Sequence, residues 1–373
     1  MRFPQDSSQA AIVEATRLVA AGRPGEATTI LQRSIGIAPP GLTSEHRLSS
    51  LSEGLREWLG RVAPFTRAKP APPAHEPEHR PEAGELLARS YRNGSGTRDY
   101  RLYVPSGYRG EPVPLVIMLH GCKQSPEDFA AGTRMNQHAE ELTCLAAYPE
   151  QSATANVSRC WNWFRPEDQQ RGCGEPALIA GITRQVMSDF AVDSTRVYIA
   201  GLSAGGAAAA IMGSAYADLY AAVGIHSGLA SRAAQDIPSA FAAMRQGGQV
   251  RPVTGGIPIV RTIVFHGDRD KTVSPQNAEL ILAQVAAGVE LEKQVERGQV
   301  TNGHAYTRTR YVDHAGSVLL ELWMIHGEGH AWSGGSREGS YTDPNGPDAT
   351  REMLRFFGCH SPPDIGPDLL QRV

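Results

Sequence analysis

The sequence predicts a doubly wound α/β domain on a mostly parallel sheet, preceded by a small N-terminal helical region. Three observations carry this. After residue 95, short apolar runs alternate with helical stretches, the pattern of strands buried on both faces and covered by helices. Between residues 64 and 81 the chain carries six prolines (Pro64, Pro70, Pro72, Pro73, Pro77 and Pro81), which no helix can cross. Ahead of these prolines lie candidate helices and no candidate strand. The expected organisation is a helical region over 1–62, a Pro-rich linker over 63–95, the α/β domain over 96–360 and a C-terminal tail over 361–373.

The N-terminal elements follow from capping and apolar spacing. Ser7 or Ser8 can cap a helix carrying Ile12, Val13, Leu18 and Val19. Gly22-Arg23-Pro24 ends it, and Pro24 suits the start of a second helix with Ala27, Ile30, Leu31 and Ile35. A third begins near Thr43 or Ser44 and carries Leu48, Leu51, Leu55, Trp58 and Leu59. The first pair has the form of half a helical repeat, but no second copy follows. These helices are either an appendage of the main domain or a docking module, with residues 7–60 the candidate contact for a granule or a partner.

In the α/β domain, strands are expected at 99–104, 115–119, 145–148, 196–200, 222–226, 259–265, 306–312 and 318–325. Helices are expected at 126–142, 175–190, 204–216, 276–285 and 348–357. In such sheets the chemistry collects on loops at the C-terminal ends of the strands.

Composition narrows the function. With 36 basic and 39 acidic residues the formal net charge is −3, which excludes a dedicated nucleic-acid binder. No apolar run is long enough for a transmembrane helix, and the first residues lack the apolar core of a signal peptide, so a cytoplasmic location is expected. The five cysteines at 122, 144, 160, 173 and 359 form no C-x-x-C pair, which argues against a zinc knuckle or a thioredoxin-like site.

The strongest chemical signal is Gly201-Leu-Ser-Ala-Gly-Gly206, set between a predicted strand and a small-residue helix. This is G-x-S-x-G in the context that gives it meaning, a sharp strand-to-helix turn that exposes a nucleophile. Gly201 and Gly205 remove side chains that would clash in such a turn. Ser203 is the candidate nucleophile, and the N–H of Ala204 at the helix N-terminus a candidate oxyanion donor. A plain helix-capping serine is the bland alternative.

A nucleophilic serine needs a base and a group that orients it, expected in the order Ser, Asp or Glu, then His. After the strand at 259–265 come Asp268 and Asp270. Asp268 can simply close the turn, so Asp270 is the favoured orienter. After the last strand come His326 and His330. His330, flanked by small residues, is the favoured base and His326 a structural strand end. A metal reading of this i, i+4 pair is set aside, because Gly327 and Gly329 oppose the helix it needs. The loop His120-Gly121-Cys122 offers the Cys122 N–H as second oxyanion donor, with His120 bracing the loop. Trp161, Trp163 and Trp332 are either core or the wall of an acyl pocket.

These runs together resemble the polyhydroxybutyrate-depolymerase family of α/β-hydrolase esterases over residues 98–358. The matching segments are Met118-Leu-His-Gly-Cys-Lys-Gln124, Ala131-Gly-Thr-Arg-Met-Asn136, Tyr148-Pro-Glu-Gln151, Cys160-Trp-Asn-Trp-Phe164, Gly201-Leu-Ser-Ala-Gly-Gly206, His226-Ser-Gly228, His266-Gly-Asp-Arg-Asp270 and Gly329-His-Ala-Trp-Ser-Gly-Gly335. The resemblance implies an α/β-hydrolase fold, a Ser203–Asp270–His330 triad and hydrolysis of short-chain hydroxyalkanoate oligomers or polyester without a cofactor or metal. Similar enzymes act on feruloyl or acetyl esters. Secreted members of the family make an extracellular location the alternative. The resemblance also brings Cys122 and Cys160 close enough to pair, either as a disulfide or as two neighbouring thiols. An amidase on the same scaffold and a non-catalytic binding protein are the competing functions.

Overall fold

The chain divides into two compact units, Met1–Pro77 and Glu78–Val373. The computed structural model describes residues 84–248 and 259–359, all in the second unit. The expected N-terminal helices, the Pro-rich run and the tail over 361–373 lie outside the described residues.

A ten-stranded sheet organises the domain in the order β1-β2-β4-β3-β5-β6-β7-β10-β9-β8. Its centre is six parallel strands: β3 (Val113–Leu119), β4 (Leu145–Pro149), β5 (Val192–Leu202), β6 (Ala222–His226), β7 (Arg261–Gly267) and β10 (Val318–His326). Antiparallel strands extend both edges: β1 (Glu85–Asn93) and β2 (Gly96–Val104) on one side, β9 (Ala305–Val312) and β8 (Glu292–Gln299) on the other. The central strands are near-continuously apolar because both faces are covered; β3, Val-Pro-Leu-Val-Ile-Met-Leu, is buried throughout.

Helices cover the two faces. They are α1 (Pro126–Thr133), α2 (Met135–Leu142), α3 (Gly174–Asp189), α4 (Ala204–Ala215), α5 (Ile237–Gln246), α6 (Gln276–Val285) and α7 (Ala349–Phe357). Two apolar clusters result. One gathers Ile117, Ile199, Ile211, Met212 and Val264, the other Met118, Phe129, Phe265, Met353 and Phe357.

Three expectations are corrected. The stretch assigned to the linker becomes strand β1 from Glu85 onward, pairing along its whole length with β2. The single helix expected over 126–142 is two helices broken at Arg134, whose φ of 56° is left-handed. Its guanidinium reaches Gly334 O at 2.8 Å and Asp348 Oδ2 at 2.7 Å, ties that hold the break in place. Strand β8 and helix α5 have no counterpart among the expected elements.

The fold reverses direction over β3: the chain passes from β3 outward to β4, then back across to β5 on the other side. A crevice for ligands forms where strand order reverses, at the C-terminal ends of β3 and β5. Two glycines make that edge possible. A Cβ at Gly205 would collide with Leu119 O at the end of β3, and one at Gly201 would lie 2.8 Å from the same oxygen. Backbone therefore packs directly on backbone, drawing the start of α4 against the end of β3. Gly205→Ala should cost ~1–3 kcal/mol or more through overpacking, measured as a lower urea midpoint; an unchanged midpoint would contradict this contact.

Candidate active site

Ser203 occupies the turn between β5 and α4 with φ 57° and ψ −117°, a conformation strained for a residue with a Cβ. Its N–H bonds to His226 O at 2.8 Å, which fixes the turn to the neighbouring strand end. Ala204 is the first residue of α4, so its N–H has no partner within the helix.

Asp270 and His330 come from turns on the same sheet edge. Strands β5, β6, β7 and β10 are parallel neighbours, and their C-terminal residues are in register: Leu202 with His226, His226 with Phe265, and His266 with Met324. Asp270 follows β7 and His330 follows β10. His330 Nδ1 bonds to Asp270 Oδ2 at 2.6 Å. The other oxygen of Asp270 accepts the N–H groups of Thr272 and Val273 at 2.8 and 2.9 Å. Burial alone would raise this carboxyl. The hydrogen bonds from His266 and His330 outweigh burial and hold it well below the usual carboxylate range, so Asp270 is ionised.

The competing pair is also bonded, but to itself. Asp268 accepts from His326 Nδ1 at 2.9 Å and from Gly327 N–H at 2.8 Å, closing the turn between β10 and the loop that follows. His326 Nε2 is taken by Thr307 at 2.9 Å. His326 is 43% exposed on the rim, whereas His330 is 13% exposed. Asp270 and His330 are thus the enclosed pair, and Asp268 and His326 the solvated one.

Two buried histidines that the residue-by-residue reading left without a role hold this edge together. His266 Nε2 lies 2.9 Å from Val273 O and 3.4 Å from Asp270 Oδ2, so it carries its proton on Nε2 and leans on the carboxylate. His226 Nε2 accepts the N–H of Ser333 at 3.0 Å while its ring stacks on Trp332. It links the Ser203 turn to the His330 loop. Burial, reinforced by the charges of His266 and His330, keeps His226 far below its usual pKa, and it stays neutral. A polar residue closing a buried strand was the available signal for both.

The loop after β3 is braced from inside. His120 Nδ1 is 2.7 Å from Gly121 O, and Nε2 accepts the N–H of Gln151 at 3.0 Å. Burial lowers His120 to about 4. The N–H groups on either side of Cys122 are committed, Gly121 to Gln124 Oε1 and Lys123 to Ser158 O. Cys122 and Cys160 form a disulfide with Cα atoms 4.2 Å apart, joining this loop to the Trp-rich loop. Buried Glu175 anchors the Trp-rich loop in turn, accepting the Asn162 N–H and side-chain amide, each at 2.7 Å. Burial, helped by the nearby Asp168 charge, pushes Glu175 up to about 7.

The acyl-wall expectation for the tryptophans meets their burial. Trp161 is fully enclosed, donating to His120 O at 3.0 Å, and Trp332 is 1% exposed and packed edge-on against Phe129. Neither offers a face to a ligand; both are core residues that shape the loops from beneath. Trp163 is 6% exposed and packs edge-on against Phe164.

The fold is shared with a solved structure. An acetyl xylan esterase from Aspergillus awamori superposes with a TM-score of 0.57 at 18% identity, covering 74% of this chain and all of that one. The fold is that of the α/β-hydrolases. Residues 98–291 match the family described as esterase PHB depolymerase, and the chain belongs to that family of carboxylic ester hydrolases. The match includes Ser203 and Asp270 and ends before His330.

Among curated relatives, poly(3-hydroxyalkanoate) depolymerase C of Paucimonas lemoignei is 29% identical over 61% of this chain and 57% of its own length. Feruloyl esterase B of Neurospora crassa is 28% identical over 71% of this chain and 90% of its own. The chain therefore spans little more than half of the depolymerase and most of the feruloyl esterase. No helix among the described residues is long and apolar enough to cross a membrane.

The two Asp–His pairs give a direct test. Asp270→Asn should lower kcat by about 10⁴, because the imidazole is held in the wrong tautomer. Asp268→Asn should change kcat less than ~10-fold and act mainly on stability. Steady-state ester hydrolysis by both variants checks the ranking, and the reverse order would contradict it.

Proposed function

We propose that the chain is a serine esterase that works through an acyl-enzyme, with Ser203 as nucleophile, His330 as base and Asp270 as the group orienting it. The observation that supports this most is the His330–Asp270 bond of 2.6 Å, set on the same sheet edge as the strained Ser203 turn. In this reading His330 Nε2 takes the Ser203 proton as Oγ attacks the ester carbonyl. The N–H groups of Ala204 and Cys122 receive the developing oxyanion, a donor role typically worth ~10²–10³ in rate each. His330 then protonates the leaving alcohol, and in the second half-reaction it activates water to release the acid. Asp270 remains ionised throughout and stabilises the imidazolium. The steps need no cofactor.

For substrate we favour short-chain hydroxyalkanoate esters, 3-hydroxybutyrate oligomers or accessible polyester, in line with the family and the Paucimonas relative. A feruloyl or acetyl ester is the second reading. It is favoured by the 90% of the Neurospora feruloyl esterase that the alignment spans. For location, the Cys122–Cys160 bond supports an oxidising compartment, the extracellular alternative to a cytoplasmic one.

Kinetics on p-nitrophenyl butyrate, hydroxybutyrate oligomers and methyl ferulate test both levels. Ser203→Ala should keep the wild-type circular dichroism and lose at least ~10⁴ of kcat. Retention of more than about a thousandth would remove Ser203 from the nucleophile role. Wild type should show its highest kcat/KM on the hydroxybutyrate oligomers; a preference for the ferulate would establish the second reading instead.

A further inference from the structure

A second cluster of ligating side chains lies beside the His330 loop and has no part in the chemistry above. Glu328 stands two residues before His330 and is fully buried. Among the described residues, neither of its carboxylate oxygens has a hydrogen-bond partner. A buried acid left in this state needs an explanation, since burial without a partner is unfavourable.

Two further ligands converge on this carboxylate from separate loops. His304 precedes β9, and Asp343 ends a short strand over Thr342–Asp343 that pairs with Trp332–Ser333. The ligand atoms of His304, Glu328 and Asp343 all lie within 4.8 Å of one another. His304 Nε2 is 2.9 Å from Asp343 Oδ2, and each of these two side chains is 22% exposed, so the cluster opens to solvent on one side. Asp343 Oδ1 is held by the Asn345 N–H and side-chain amide at 2.9 and 3.0 Å, the kind of outer contact that orients a metal-bound carboxylate. Beside Glu328 the backbone passes close: a Cβ at Gly346 would collide with Glu328 Oε2 and with Ser333 Oγ, so only glycine fits there.

We propose that His304, Glu328 and Asp343 bind one divalent ion of the zinc class, pinning the His330 loop to the loops that carry His304 and Asp343. An all-oxygen site would suit calcium or magnesium; one imidazole with two carboxylates suits zinc, whose bonds of ~2.0–2.2 Å require the three ligand atoms to draw together on binding. Binding exchanges the His304–Asp343 hydrogen bond for coordination: the proton on His304 Nε2 moves to Nδ1 by way of solvent, and Glu328 ligates as the carboxylate, with any proton it carries released to solvent. The site is separate from the His326 and His330 pair considered in the sequence, whose Nδ1 atoms are committed to Asp268 and Asp270. The role is structural, and it does not depend on the esterase reading.

The test is calorimetric titration of the EDTA-dialysed full chain with zinc chloride and, separately, calcium chloride, with thermal unfolding alongside. One zinc ion per chain should bind and raise Tm, with calcium bound at least ~10-fold more weakly. Glu328→Gln should weaken zinc binding at least ~10-fold, and so should the partly exposed His304→Ala if the buried change impairs folding. The proposal is overturned if wild type takes up no zinc saturably, or if calcium binds as tightly. Affinity that survives both His304→Ala and Asp343→Asn, or is lost only in His330→Ala, overturns it as well by placing the ion elsewhere.

Discussion

The close approach of two backbone segments, the end of β3 and the start of α4, sets the position of everything else at this edge. No side chain at Gly201 or Gly205 could fit against Leu119 O, so the contact exists only because both residues are glycine. It brings the N-terminus of α4 beside the loop carrying Gly121 and Cys122. It also holds Ser203 in a backbone conformation, φ 57°, that an isolated chain would leave. The strain is small beside the packing that enforces it, because both flanking elements belong to the buried centre of the sheet.

Around that contact the polar groups are sorted by burial. Asp270 is kept ionised inside the edge by two imidazoles and two backbone N–H groups, and it holds the His330 ring in one orientation. Asp268 and His326 form the same kind of pair at the rim, where solvent weakens their coupling and the bond serves the turn. Neutral His226 and His120 act as braces, each accepting a backbone N–H through Nε2. The disulfide then joins the His120 loop to a second loop anchored on Glu175. The edge is thereby built from loops tied to one another below the surface.

Much of this could be read from residue order. Strands buried on both faces announce themselves as short apolar runs, and β6 and α6 begin and end where the pattern places them. The Ser203 turn was legible because glycine spacing and a strand-to-helix change coincide. Edge strands were not: β8, Glu-Lys-Gln-Val-Glu-Arg-Gly-Gln, has Val295 as its single aliphatic side chain and leaves it 54% exposed. Strand β1 follows the Pro-rich run and gains its pattern only from pairing with β2. The break at Arg134 has only Gly132 to mark it in the sequence, and it is held by contacts with residues some two hundred positions away. For the tryptophans, sequence could say that they are not left exposed, but not which side of the loop covers them. Glu328 was invisible as a site because its partners, His304 and Asp343, come together only in the folded chain.

If the strained turn at residue 203 presents an activated serine, covalent mapping finds it without reference to any natural substrate. The folded chain would be treated with a fluorophosphonate, then read by intact mass and by peptide sequencing. One adduct per chain is expected, on Ser203, abolished by prior unfolding and strongly slowed in Asp270→Asn. An adduct on another residue, or none on folded protein that hydrolyses esters, would contradict it.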